Sequence, residues 1–470
     1  MITVSNNRLD PSGFCMNQRP DDFLDVPAQQ AQFRELVGDA LRHAKQAGAT
    51  DAAVEISESR GLSVSVRHRS IETIEQTRDR SMAVTVFAGQ RRGSASTSDF
   101  SPDALRRTVD AAWHIARYTA EDPAAGLPEP ELFALHYPDL DLHHPWSIDA
   151  QGAARLAIQA ERAALATSRQ ITNSEGASLD TMEGHFVLGN SRGFLGGYPY
   201  SRHSLSVAPI AGSGDGMQRD YWYTSARRSG DLAAPAEVGR YAAERALSRL
   251  GARPVKTGQY PVLFEAPLAV GLLGALVQAA SGGALYRKAS FLLDALGKPV
   301  LADHLDVVEN PYIPGALGSS PFDAEGVRPQ ARRVVDQGVL TGYFLSTYTA
   351  RKLGLSTTGN AGGSHNLSLR SRLTRPDDDL PAMLRRMGTG LLVTELIGQG
   401  VNYVTGDYSR GAFGYWVQDG VISHPVQEIT IAGNLAEMFR QIVAVGADVH
   451  ARGAKSTGSV LIERMSVAGL

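Results

Sequence analysis

The chain has 470 residues, 43% hydrophobic and 20% charged, with a formal net charge of -3; it is long enough for two or three cores and ordinary for a soluble globular protein. No run of Lys or Arg forms a basic block, which argues against a nucleic-acid partner. A lone Cys15 excludes a disulfide framework and an all-thiolate metal site, and fits a reducing, cytoplasmic setting.

Residues 1–30 are polar, lack the apolar core of a signal peptide, and read as a loose extension. Residues 30–49 place Phe33, Val37, Leu41 and Ala44 on one face of an amphipathic helix that ends near Gly48. Alternating runs at 52–57, 62–68, 71–76 and 82–87, then 94–98, predict an antiparallel sheet. Ser101-Pro102-Asp103 opens a second helix, with a capping serine and proline at the first helical position. Helix, strands and helix make a compact α+β domain over 31–120.

A Pro- and Asp-rich connector follows at 122–145. Ser147 is the expected cap of an alanine-rich helix to about Thr167. Glycine-broken strands run from 170 to 223, and a helix at 235–250 closes a middle α+β domain over 146–250. The last domain, 256–470, opens with the strand YPVLFE and the apolar segment 266–286. That segment has the length to span a membrane, but it relies on Ala and Gly and holds Gln278 and Ser281. It reads as one buried helix, with no membrane partner. A hairpin is expected across Asp336-Gln337-Gly338. The fold class is α+β, with a β-rich C-terminal domain built from glycine-rich strands around a buried helix.

Residues 388–435 alternate short apolar runs (391–393, 401–404, 413–417, 421–422) with glycine, and Asp419-Gly420 carries a strong hairpin signal. Gly398, Gly400, Gly406, Gly411 and Gly414 suggest bulges or places where another backbone comes close. Two readings fit: a glycine-rich meander with wet loops, or a groove using the polar residues between the glycines.

No motif announces a catalytic centre. The twelve histidines include no helical pair four apart and no His-Glu-x-x-His. His143, His144, His365 and His424 read as structural or surface residues. Glu395 and Asp407 are a candidate carboxylate pair. Ser191 and Ser409 sit in glycine-flanked turns without a nucleophile elbow. Lys298 and Lys455 follow turns but lack phosphate-loop spacing.

Several segments carry a resemblance: GSASTSDFSPDAL, ITNSEGAS, GNSRGFLGGYPYSRHSLS, LYRKASFLLDALGK, SSPFDAEGVR, STYTARKLGLSTTGNAGGSHN and TELIGQGVNYVTGDYSRGAFGYWVQDG. With them the chain resembles the TldD/PmbA family of peptidases from about residue 31 onward. The resemblance implies a heterodimer of two related subunits acting as a zinc metallopeptidase on unfolded peptides such as leader peptides or antitoxins. In the TldD-like subunit a His-Glu-x-x-x-His helix and a later cysteine hold zinc. Here the matching helix reads GALVQA. Gly274 and Ala279 stand near the histidine positions, Ala275 near the glutamate, and ARGAKSTGSVL has no cysteine.

A catalytic zinc needs about three protein ligands and a nearby carboxylate base. The expectation is therefore a subunit with no catalytic or metal-binding residues of its own and no bound cofactor, the zinc residing in a TldD-like partner. Its glycine-rich stretch would face that partner and unfolded peptides, through Glu395, Asn402, Tyr403, Asp407, Tyr408, Ser409, Arg410, Phe413 and Trp416. A homodimer in isolation is compatible with this. A self-sufficient hydrolase with an unrecognised centre and a non-enzymatic peptide-binding protein remain as alternatives.

Overall fold

The computed structural model describes residues 25–469; Cys15 and most of the expected extension lie outside them. Helix α1 (Val26–Ala47) begins ahead of Gln30. Asp25 Oδ1 accepts a hydrogen bond from Ala28 N (3.2 Å) and Pro27 occupies the first turn. The alternating runs merge into two long strands, β1 (Asp51–Arg67) and β2 (Ser70–Ala88), followed by β3 (Arg91–Thr97) and α2 (Pro102–Tyr118). The merger occurs because the polar centre of β1 has cross-strand partners. Buried Glu58 accepts from Arg78 Nε at 2.7 Å and lies 3.4 Å from Arg80.

Helix α3 (Ala150–Thr167) is capped by Asp149 and not by Ser147: Asp149 Oδ1 accepts from Gly152 N at 2.6 Å. Then come β4 (Ile171–Asn190), β5 (Leu195–Gly196), β6 (Pro199–Ala211), β7 (Gln218–Arg219), β8 (Trp222–Ala226) and α4 (Pro235–Ser248). β1 to β8 form one antiparallel sheet, ordered β3-β2-β1-β4-β6-β7, with β5 on β4 and β8 on β6. β1 and β4 pair from Ala53↔Asn190 to Val66↔Ala177, so the segments on either side of the 122–145 connector share a sheet. One end of this sheet packs Val54, Ile56, Val84 and Val86 under α1 and α2; the other packs Val64, Val66, Leu179 and Leu205 under α3 and α4. The Glu58 cluster lies between the two cores.

The remaining chain runs through β9 (Gly258–Phe264), α5 (Ala266–Ala279), α6 (Gly282–Tyr286), β10 (Leu305–Asn310), β11 (Arg332–Asp336), β12 (Val339–Leu340), α7 (Thr347–Leu353) and β13 (Asn366–Ser371). It continues with α8 (Leu380–Met387), β14 (Gly390–Ile397), β15 (Asp407–Gln418), β16 (Val421–Asn434), α9 (Leu435–Arg440), β17 (Ile442–Val445), β18 (His450–Arg452), β19 (Lys455–Thr457) and β20 (Val460–Ala468).

These strands build two layers. One is a sheet ordered β12-β11-β10-β13-β19-β18. The other is a barrel, β16-β15-β14-β9-β20, closed by β16–β20 pairing, with β17 alongside β20. Leu272, Leu273 and Leu276 of α5 pack with residues of both layers, among them Val307, Leu367, Val393 and Ile462. The helix is buried as expected, but segment 266–286 is two helices. Ser281 Oγ accepts from Ala284 N (3.3 Å) and starts α6 afresh. No described helix is long and apolar enough to cross a membrane.

Candidate functional site

The helix α5 is apolar almost all round, yet one face reaches open space and carries almost nothing. Gly271 is exposed, Gly274 is half-buried, and a Cβ added to either would meet no atom within 4 Å. Gln278, one turn on, is exposed. Ala275 and Ala279 are buried instead. The β18–β19 hairpin, which overlaps the cysteine-free ARGAKSTGSVL segment, packs against this helix.

Hydrogen and methyl groups have no lone pairs to give a cation, and the single carboxamide of Gln278 is no three-ligand set, so the residues at these positions do not fit zinc. Among the described residues no group of three or more His, Cys, Asp or Glu could hold a metal ion. His450 of β18 is a lone imidazole: burial pushes its pKa down, and its ring centroid lies 5.7 Å from that of Trp222.

The nine residues singled out in the glycine-rich stretch lie along β14, β15 and the turn between them, and they part company. Tyr408 and Phe413 are buried in this chain. Burial pushes the Tyr408 hydroxyl up to about 12. Trp416 meets Tyr260 edge-on at 4.9 Å, and both it and Tyr403 pack against the C-terminal core. Glu395 forms an ion pair with Arg249, Oε2 to Nη2 2.6 Å, and the Arg249 guanidinium covers the Phe413 ring at 3.8 Å. Asn402, Asp407 and Ser409 are exposed, and Arg410 is half-buried.

Residues 401–404, expected as an apolar run, lie mostly in a turn: Asn402 N donates to Asp407 O (2.8 Å) and Asn402 Oδ1 accepts from Val404 N (3.0 Å). Asp407 is held below the usual carboxylate range by hydrogen bonds from Thr405 and Asn434. The two carboxylates weighed as a pair therefore have separate partners. Ser409 N donates to Gly400 O at 2.7 Å. What is left facing solvent is the turn and the rim of β15, with no base aligned on a nucleophile.

A larger concavity opens elsewhere, between β8, the 313–317 loop, β13 and the β18–β19 hairpin. It is a cleft of about 650 Å³, lined by Arg227, Asp231, Asn366, Arg370 and Lys455 among others. Arg227 is nearly buried, and among the described residues its guanidinium donates only to the carbonyls of Ala316, Leu317, Leu142 and Ser201. Lys455 is half-buried, and burial lowers its amine's affinity for a proton. Sequence reasoning noted Lys455 only for lacking a phosphate-loop spacing and passed over Arg227 and Arg370. The three are far apart in the chain, and no local signal joins them.

Profiles of the PmbA/TldA metallopeptidase match this chain in three parts: domain 1 at 52–116, the central domain at 143–250 and the C-terminal domain at 257–469. The chain belongs to the TldD/PmbA family. Metalloprotease PmbA of Escherichia coli O157:H7 is 48% identical over 445 residues, covering 94% of this chain and 98% of its own. The PmbA homolog of Haemophilus influenzae is 46% identical, with 94% and 98% covered. Among solved structures, TldE from Thermococcus kodakarensis superposes with a TM-score of 0.80 over 92% of this chain and 100% of its own; at 18% identity that likeness speaks for the fold. TldD/PmbA membership thus agrees with the α+β architecture and its β-rich C-terminal barrel.

Proposed function

We propose that this chain is the non-zinc-binding subunit of a heterodimeric zinc peptidase that cleaves unfolded peptides such as leader peptides or antitoxins. A TldD-like subunit supplies the metal, and this chain supplies part of the wall that holds the peptide. The observation that carries the reading is α5. In a metallopeptidase family, its open face presents Gly271, Gly274 and Gln278, which offer neither a ligand set nor a base. The exposed turn at Asn402, Asp407 and Ser409 is available to the partner or the peptide, while Tyr408 and Phe413, buried in this chain's own core, are not.

The test is to mix the purified chain with a TldD-like subunit and follow cleavage of an unstructured peptide. The expected result is no cleavage by the chain alone, a rate that rises to a plateau at equimolar mixing, and loss of activity with a chelator. Chelator-sensitive cleavage by the lone chain would make it a self-sufficient hydrolase. No gain on mixing would leave a peptide-binding protein outside hydrolysis.

A further inference from the structure

The cleft beside the hairpin combines three cationic side chains with a single acidic lining residue, the exposed Asp231. Each cation lacks a carboxylate partner among the described residues. Arg227 is met only by carbonyl oxygens, Arg370 Nε donates to Ser368 Oγ at 3.2 Å, and Lys455 has neither a hydrogen bond nor an ion pair. Arg227 and Lys455 are drawn out of water without a counter-charge, which is costly, and an incoming anion relieves that cost; Arg370 adds its charge from the exposed rim.

The rest of the cleft favours a peptide over a small inorganic anion. Val308, Ile313, Leu317 and Leu367 give it apolar walls. Among the described residues β8, which contributes Ser225 and Ala226 to the rim, is bonded to β6 on one side only. A strand with one neighbour can accept an extended segment through main-chain hydrogen bonds.

We propose that this cleft receives a carboxylate of an extended peptide, with Lys455 and Arg370 as its ionic partners and Arg227 behind them. The inference rests on the peptidase reading and narrows it: the substrates held best are those with a free C-terminus or an acidic side chain near the bound segment.

The test uses the full chain and fluorescently labelled unstructured peptides in matched forms: free acid against C-terminal amide, and Glu against Gln. Anisotropy titrations would compare the wild type with Lys455→Met and with Arg370→Gln, whose side chain is exposed and whose change is compatible with folding. One carboxylate should tighten binding roughly tenfold, and that advantage should collapse in Lys455→Met and shrink in Arg370→Gln, while the amide binds all three proteins alike. Equal affinity for acid and amide, an advantage untouched by both substitutions, or no peptide binding would overturn the proposal. So would binding of inorganic phosphate without binding of peptide acids. A rate gain on mixing with a TldD-like subunit that ignores peptide carboxylates defeats this inference alone. Carboxylate-dependent binding without any rate gain defeats the peptidase reading alone.

Discussion

Glu309 is fully buried and receives Arg332 Nε at 2.8 Å, His365 N at 2.9 Å, His365 Nδ1 at 3.1 Å and Asn360 Nδ2 at 2.8 Å. Burial by itself would raise its pKa; the bonds from His365 and the charge of Arg332 reverse that and hold it at about 2, against an ordinary 4.5. Because the folded value is depressed, the stabilisation is fully present above pH 4.5 and is lost as pH falls towards about 2. Glu309→Gln leaves the Arg332 charge without its partner and should cost about 3 kcal/mol near neutrality. The variant's stability should also fall less steeply than the wild type's below pH 4.5. Urea unfolding at pH 7 and pH 3 checks both, and an unchanged acid slope would remove Glu309 from the account. His365 read only as a structural or surface histidine, and it is buried. Its partner was not legible, because nothing in a strand residue at 309 signals a loop residue at 365.

The hairpin at Asp419-Gly420 was legible from two letters, because a tight two-residue turn needs positive φ at both positions; Asp419 has φ 52° and Gly420 φ 77°. The glycines around it were legible only in part. Gly400 and Gly414 do mark places where backbone comes close, but the backbone is the chain's own; Gly398 faces open space, and Gly406 and Gly411 meet chiefly side chains. A Cβ at Gly414 would lie 2.0 Å from Leu392 O across the β14–β15 ladder, and one at Gly400 would lie 1.8 Å from Ser409 O. Glycine spacing reports crowding and cannot say who does the crowding. Gly414→Ala should therefore destabilise the protein by about 1–3 kcal/mol through forced displacement within the barrel. Gly271→Ala, in open space on α5, should stabilise it by up to about 1 kcal/mol through helix propensity. Chemical denaturation of the two variants reads the difference, and equal effects would refute the packing argument. The single helix expected over 266–286 failed for a similar reason: a serine inside an apolar run looks like a tolerated polar residue until its hydroxyl is seen capping a new helix.

Across the molecule, the alternation in residues 52–87 disclosed strands but not their neighbours. A buried-exposed pattern fixes which side of a strand is wet and is silent about what lies along its edge. So the β1–β4 ladder, which crosses the 122–145 connector and joins 31–120 to 146–250 in one sheet, was invisible. With that ladder in place, residues 25–250 should unfold in one transition. A 143–250 fragment should bind a hydrophobic dye and lack near-ultraviolet dichroism, since β4 loses its β1 neighbour. A fragment with native-like dichroism and cooperative melting would contradict this. A related consequence follows from β20, which pairs with β9 at Val460↔Phe264 and also seals the barrel against β16. During synthesis β9 leaves the ribosome long before β20 and must wait for it, so loop-closure entropy opposes the contact that completes its layer. Until then Val262, Leu263 and Phe264 lack their final shelter, making the nascent C-terminal half a natural client for chaperones.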